Sequence, residues 1–132
     1  TVDRARLDET RIATGSKLDN LVQVGHNVTI GAYNMFAAQV GLAGMSKTGK
    51  GVELGGQVGV AGHLMIGDGA KCGAKSGIPN DVEPGAVVFG YPALPARLAM
   101  RIHALKQRLP EMVKRLKELE QKVADLEKSA DA

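Results

Sequence analysis

An all-β left-handed parallel β-helix followed by a C-terminal α-helical, coiled-coil extension is the fold class this 132-residue sequence predicts, on three observations. Apolar residues recur at every sixth position from Ile12 to Ile78. Only 3% of residues are aromatic while 17 are glycine, so the core must be built from aliphatic side chains and close backbone contacts rather than as an ordinary globular interior. Beyond Pro95 the period of six gives way to alternating steps of four and three.

The six-residue register reads Ile12, Leu18, Val24, Ile30, Phe36, Leu42, Thr48, Leu54, Val60, Ile66, Cys72 and Ile78, with Thr48 the one polar member of the twelve. Ten of the twelve residues that follow them are Gly or Ala, and two positions before them stand small or β-branched residues such as Val22, Val28, Val40, Val52 and Val58. A helix needs a period near 3.6 and a strand a period of 2, so a strict six combines alternating strand positions with a corner. The small residue after each aliphatic is expected to let the backbone turn tightly. Three such sides close a triangular coil of 18 residues, and stacked coils, with strands about 4.8 Å apart, share one interior. A self-match at the coil length supports this: Gln39-Val-Gly-Leu-Ala-Gly44 returns as Gln57-Val-Gly-Val-Ala-Gly62. The register runs from Ile12 to Ile78 without insertion, about four coils of a hexapeptide repeat.

The repeat is expected to stop at Val82-Glu83-Pro84-Gly85, where Pro84 takes the next aliphatic slot, and Val87, Val88 and Phe89 lead into the turn-rich Gly90-Tyr91-Pro92-Ala93. Then Leu98, Ile102, Leu105, Leu109, Met112, Leu116, Leu119, Val123 and Leu126 form a heptad seam, flanked by the opposite-sign pairs Arg115 with Glu120 and Lys122 with Glu127. Pro110 should kink or split the helix. The seam either packs on its own β-helix or joins three parallel copies. A homotrimer is expected, because the half from Glu111 extends past any surface that four coils supply. The expected organisation is a core over 1–90, a linker over 91–97 and a helical extension over 98–128.

Charge is unevenly placed. Residues 1–94 hold eight basic and eight acidic side chains, whereas 95–132 hold nine and six, so the net +3 lies in the tail. Six basic residues against Glu111 alone between Arg97 and Arg115 predict a patch for an acidic partner. No aromatic stacking residues accompany the patch, so nucleic acid is not the expected partner. No run of about 20 apolar residues predicts a transmembrane segment. There is no signal-peptide pattern, and the start at Thr1 reads as a fragment or processed product. A single cysteine, Cys72, fits a reducing cytoplasm.

Three histidines occur, and two of them, His26 and His63, fall in the repeat. Their separation of 37 is two coils plus one residue, which puts both on one side of the prism at heights roughly 10 Å apart. That spacing suits a groove in which one His does chemistry and the other meets a distant part of a substrate; the plain alternative is two corner histidines without a role. Histidine is the commonest general base near neutral pH. One coil above His26 stands Gly44, either a simple corner glycine or one whose N–H faces a carbonyl oxygen beside the imidazole. Cys72 occupies an interior slot and reads as inert packing rather than as a nucleophile. Lys47 and Lys50, flanking Gly49, read as solvated lysines or phosphate contacts. Neither repeat histidine has a companion at metal-ligand spacing and His103 lies in the helix, so no metal site is expected.

Thr1-Val-Asp-Arg4, the block Leu18-Asp-Asn-Leu-Val-Gln-Val-Gly-His-Asn-Val-Thr-Ile-Gly31, Gly56-Gln-Val-Gly-Val-Ala-Gly-His63, Glu83-Pro-Gly85 and Arg115-Leu-Lys-Glu-Leu-Glu-Gln-Lys-Val123 together resemble the UDP-3-O-acylglucosamine N-acyltransferase family of lipid A synthesis, across nearly the whole sequence. The resemblance implies an enzyme that moves a 3-hydroxyacyl chain from acyl carrier protein to the 2-amine of a UDP-3-O-acylglucosamine, in the cytoplasm of a Gram-negative-type bacterium. It implies no bound cofactor, the donor being the carrier's phosphopantetheine thioester. By the same resemblance His26 is the general base, Gly44 supplies an oxyanion-stabilising N–H, and His63 helps hold substrate. Asp19, Gln23 and Asn27 match motif positions near the sugar groove. Arg97, Arg101, Lys106 and Arg108 then belong to a docking surface for acyl carrier protein. The family's uridine-binding domain and several of its coils have no counterpart in this sequence, which implies a truncated core with weakened UDP-sugar affinity. Small residues over Ala74 to Ile78, where some members carry methionine, imply a roomier acyl site. The competing expectations are a catalytically silent trimerisation scaffold and another sugar O- or N-acyltransferase of the same repeat class.

Overall fold

The computed structural model describes residues 1–130. Two compact units make up the chain, one over Thr1–Ala99 and the other from Met100 onward. In the first, twelve two-residue strands follow one another at six-residue intervals, from Arg11–Ile12 to Gly77–Ile78. Among themselves they pair only in parallel and always eighteen residues apart. Ile12, Ile30, Thr48 and Ile66 stack on one face, Leu18, Phe36, Leu54 and Cys72 on the second, and Val24, Leu42, Val60 and Ile78 on the third. The result is a β-solenoid of about four turns whose sides are the three sheets.

The core is the column these residues fill. Val24, Ile30, Leu42, Leu54 and Ile66 are buried, as are the valines two positions before the inward residues, Val22, Val28, Val40, Val52 and Val58. Ile12, at the end of the stack, stays 40% exposed because no coil covers it. The polar exception is explained by a partner. Thr48 Oγ1 accepts a hydrogen bond of 2.7 Å from Asn34 Nδ2, and Asn34 Oδ1 accepts the Val52 N–H at 2.7 Å. Asn34 and Thr48 are thus buried without an unsatisfied polar atom.

The residue that makes the corner is not the small one after the aliphatic. Left-handed backbone recurs three positions after each inward residue, at every sixth residue from Gly15 to Lys75, and it includes Leu21, Asn27, Tyr33, Gln39, Met45 and His63 at φ of 58 to 64°. From Tyr33 onward each such residue donates its N–H to a carbonyl nineteen positions back, as Met45 does to His26 at 2.9 Å and Gln39 to Asn20 at 3.0 Å. The small residues serve coil stacking instead. A Cβ added to Gly31 would lie 2.2 Å from the Gly49 carbonyl oxygen, and one on Gly55 would lie 2.6 Å from the Ala74 nitrogen.

Pro84 does not take the next inward slot. Ile66 pairs with Val82, sixteen residues on, and Lys71–Cys72 pairs with Val87–Val88 at the same offset. The last corner is therefore two residues shorter. The shortening lets Val82 enter the core at 7% exposure and supply the carbonyl that accepts the Gly67 N–H at 2.7 Å, while Pro84, which has no N–H to give to a ladder, stays outside. Val87–Phe89 then pairs antiparallel with Leu94–Pro95, through a cis Tyr91–Pro92 bond.

Helix α1 runs from Ala96 to Ala130 with Pro110 inside it, so the split expected there does not occur. A proline forfeits one helical hydrogen bond, and the Leu, Lys, Arg, Glu and Met residues around this one favour helix. Leu105, Leu109, Met112, Leu116, Leu119 and Val123 lie exposed along α1 at the heptad spacing.

Replacing Asn34 by Ala strands the Val52 N–H and leaves Thr48 Oγ1 with only the longer bond from the Gly31 N–H, at 3.3 Å. The expected loss is about 2 kcal/mol of stability, read as a lower urea midpoint with unchanged slope. An unaltered midpoint would show that the pair is not a stabilising element.

Candidate active site at a solenoid corner

The site is built by one corner and the coils above it. Val24 turns inward, Gly25 is buried, and His26 and Asn27 form the bend, with Asn27 at φ 58°. Gly25 is required by close approach, since a Cβ there would meet the Gly44 nitrogen at 2.8 Å and the Leu42 oxygen at 2.9 Å. The half-buried His26 imidazole reaches upward. Its Nε2 lies 2.5 Å, and its Cε1 2.7 Å, from where a Cβ on Gly44 would stand. The ring therefore covers the face of Gly44, and only glycine leaves it that space.

Gly44 carries polarity into this contact. Its carbonyl accepts the His63 N–H at 3.2 Å, while among the described residues its own N–H has no acceptor. Every corner leaves such an N–H, but the equivalent group of Lys50 is taken by Asp68 Oδ1 at 2.8 Å. A free N–H beside an imidazole is the pair that acyl transfer needs, a proton acceptor next to an oxyanion donor.

His63 is exposed, at φ 64°, in the same corner column as Asn27 and two coils above it. His26, Gly44 and His63 thus line one edge of the solenoid. Met45 stands between Asn27 and His63 in that column, 41% exposed. Sequence reasoning passed it over, although adding one coil to Asn27 would have found it.

Asp19 and Gln23 are not brought to this edge within one chain. Asp19 follows the Lys17–Leu18 strand of the second face, where its Oδ1 accepts the Asn20 N–H at 2.7 Å and Asn20 Nδ2 at 2.9 Å. It borders a groove of about 640 Å³ with Lys17, Met35, Glu53 and Lys71. Gln23 lies on the third face, donating from Nε2 to Asp3 Oδ1 at 2.9 Å. It closes one end of a groove of about 480 Å³ whose floor includes Gly41, Gly59 and Gly77, with Tyr91 also in its lining. Seven residues separate Asp19 from His26, more than one side of the triangle, so the chain crosses a whole face between them.

Asn27 makes more contacts than its motif position foretold. Its Oδ1 lies 3.2 Å from His26 Nδ1 and accepts the Arg6 N–H at 3.2 Å; its Nδ2 donates to the Leu7 carbonyl, and its N–H donates to Thr10 Oγ1 at 2.9 Å. On α1 the four basic residues are exposed. Helical periodicity groups Arg97, Arg101 and Arg108 on one stripe and sets Lys106 on the opposite side. Cys72 is buried and unpaired, and burial pushes its thiol up from 9.0 to about 11, far from thiolate chemistry at neutral pH. Among the described residues no three His, Cys, Asp or Glu side chains gather as a metal set, and no helix is long and apolar enough to cross a membrane.

Two measurements follow from this geometry. Gly44→Ala pushes the His26 ring aside, changing its ring NMR shifts, yet should lower the melting temperature less than Gly31→Ala, where the obstacle is backbone. Equal losses would mean that the ring is not seated on Gly44. For Cys72 the folded pKa is the higher one, so between about pH 9 and about 11 the unfolded chain releases a proton that the folded chain keeps. Stability falls across that window, and Cys72→Ala should lack that component of the fall when urea midpoints are compared.

No protein-family model matches the chain. It is 53% identical to UDP-3-O-acylglucosamine N-acyltransferase 3 of Gloeobacter violaceus over 131 residues, 99% of this chain and 38% of that protein. It is 51% identical to the UDP-3-O-acylglucosamine N-acyltransferase of Geobacter sp. over 126 residues, 96% of this chain and 36% of that one. Among solved structures, UDP-N-acetylglucosamine acyltransferase from Campylobacter jejuni superposes with a TM-score of 0.60 at 15% identity, over 71% of this chain and 49% of that one. At that identity the likeness concerns the fold, that of the hexapeptide-repeat acyltransferases. Identity of about half, sustained along nearly the whole chain, makes it a homologue of the UDP-3-O-acylglucosamine N-acyltransferases that spans little more than a third of their length.

Proposed function

We propose that the chain is the acyltransferase core of such an enzyme: a left-handed, homotrimeric β-helix that moves a 3-hydroxyacyl chain from acyl carrier protein to the 2-amine of a UDP-3-O-acylglucosamine in the cytoplasm. The observation that carries this reading is the seating of His26 Nε2 over Gly44, beside an N–H without an acceptor, in a chain half identical to enzymes so named. His26 takes a proton from the amine as its nitrogen attacks the thioester carbonyl. The Gly44 N–H meets the oxygen of the tetrahedral intermediate. Collapse forms the amide and expels the pantetheine thiolate, which takes the proton back from the imidazolium. No metal or bound cofactor enters these steps.

His63, on the same edge, contacts the substrate further along. Asp19 and Gln23 serve as substrate-binding positions of the assembled trimer, in which the face of one subunit meets the corner of the next; the exposed heptad seam of α1 supports that assembly. The stripe of Arg97, Arg101 and Arg108 forms the docking surface for acyl carrier protein, and Lys106, on the opposite side of the helix, lies outside it.

Mass spectrometry of N-acylated product, from this chain and from a form extended to the length of its relatives, tests the reading. His26→Ala should slow formation about 100-fold or more. Product only from the long form would make this chain a core that needs the rest. An alanine variant as fast as the parent, or no product over a range of acyl lengths, would leave the scaffold; transfer from short acyl-CoA would move the chain to another acceptor class. Arg101→Glu with Arg108→Glu should raise the KM for the carrier about tenfold at low salt and leave kcat alone; an unchanged KM would place docking elsewhere.

A further inference from the structure

The carboxamide of Asn27 has a fixed orientation, and this decides the state of the neighbouring imidazole. Carboxamide oxygen and nitrogen can exchange places by a flip, so an assignment needs partners that are donor only or acceptor only. Asn27 has one of each. The Arg6 N–H, 3.2 Å from Oδ1, can only donate, and the Leu7 carbonyl facing Nδ2 can only accept. Oδ1 is therefore the atom 3.2 Å from His26 Nδ1, and an oxygen without a proton requires that Nδ1 carry one. The proton on Nδ1 leaves the lone pair on Nε2, the nitrogen seated over Gly44.

The two residues that orient the amide belong to a strap over residues 3–10, which lies on the surface with Leu7 83% exposed. Thr10 clasps it: the hydroxyl donates to the Asp3 carbonyl at 3.0 Å and accepts the Asn27 N–H at 2.9 Å. Strap, amide and imidazole form one line of hydrogen bonds ending at Nδ1.

We propose that Asn27 is a positioning residue, and that the strap over residues 3–10, by orienting its amide, holds His26 in the Nδ1–H tautomer with Nε2 open toward Gly44. Its catalytic meaning rests on the reading of His26 as the base. The role differs from the sugar contact that the motif implied, since both polar atoms of this amide are engaged within the chain.

The test reads the imidazole itself. Two-bond proton–nitrogen spectra of the nitrogen-15-labelled chain, taken at a pH where its histidines are neutral, should show His26 with a pyrrole-like Nδ1 and a pyridine-like Nε2. Asn27→Ala should shift the tautomer ratio toward Nε2–H by about fivefold or more, the worth of one ordinary hydrogen bond. Asn27→Asp, which keeps an acceptor at the same place, should retain the parent tautomer. Thr10→Val, touching neither the side-chain carboxamide nor the ring, should move the ratio part of the way. The exposed His63 is the internal reference and should not change in any variant, which separates a local effect from unfolding. An Nε2–H tautomer in the parent, or an unmoved ratio in Asn27→Ala, overturns the proposal; an unmoved ratio in Thr10→Val overturns the strap's share. In the extended enzyme Asn27→Ala should lower kcat more than it raises KM, and Asn27→Asp should restore much of the loss. Because the spectrum needs no turnover, a failed transfer assay beside an intact Nδ1–H signal overturns the proposed function and leaves the tautomer assignment standing.

Discussion

Closure of each coil in eighteen residues rests on backbone hydrogen bonds that alternate in direction. Along a side, the N–H of one residue reaches the carbonyl seventeen positions ahead, as Gly25 reaches Leu42 and Ala43 reaches Val60. At a corner the N–H reaches nineteen positions back, as Met45 reaches His26 and His63 reaches Gly44. The corner bond accompanies left-handed backbone at the bend, and most of the corners achieve this without glycine. A non-glycine residue in that region costs on the order of 1 kcal/mol. The solenoid offsets the cost at most bends with one backbone hydrogen bond and with the aliphatic side chains that the bend directs inward.

The chemistry sits at corners for the same reason. Side positions point either into the filled core or out from a sheet face whose floor, on the third side, is glycine and alanine. A corner is where successive residues leave the ladder, where an N–H is left over, and where a side chain can lie along the coil above. His26, Gly44 and His63 use all three properties. His26 lies along the next coil, Gly44 supplies the unused N–H, and His63 bonds through its backbone to the carbonyl of that same Gly44. The geometry of the edge is thus a by-product of the bonds that stack the coils.

Much of this was legible from the period alone. A strict six across twelve positions predicts the sides, the count of coils and the shared edge of the histidines, because all three depend only on counting residues. What counting could not reach was contact. The small residue after each aliphatic looked like the turning residue, since glycine turns easily, but Gly31 and Gly55 are small because the next coil's backbone lies against them. Pro84 looked like the next inward residue because a two-residue shortening leaves no mark in the sequence until Val82 is seen paired with Ile66. The hydrogen bonds of Asn27 to Arg6 and Leu7 cross twenty-one and twenty residues to a strap outside the repeat. No periodicity reports on such a contact.

Regularity brings a difficulty of its own, which the buried amide resolves. Each hexad resembles the next, so coils of twelve or twenty-four residues would also set aliphatic on aliphatic and small residue on small residue. Hydrophobic burial alone discriminates weakly between these registers, because apolar contacts are not directional. Asn34 discriminates strongly. With an eighteen-residue coil its Nδ2 meets the Thr48 hydroxyl and its Oδ1 meets the Val52 N–H. A slip of one hexad would set Leu42 or Leu54 in the place of Thr48, leaving a buried amide without that partner at a cost of about 1 to 3 kcal/mol. The penalty arises only in the wrong registers, which is why one buried polar pair in a largely apolar column can specify the closure on which the active-site corner depends.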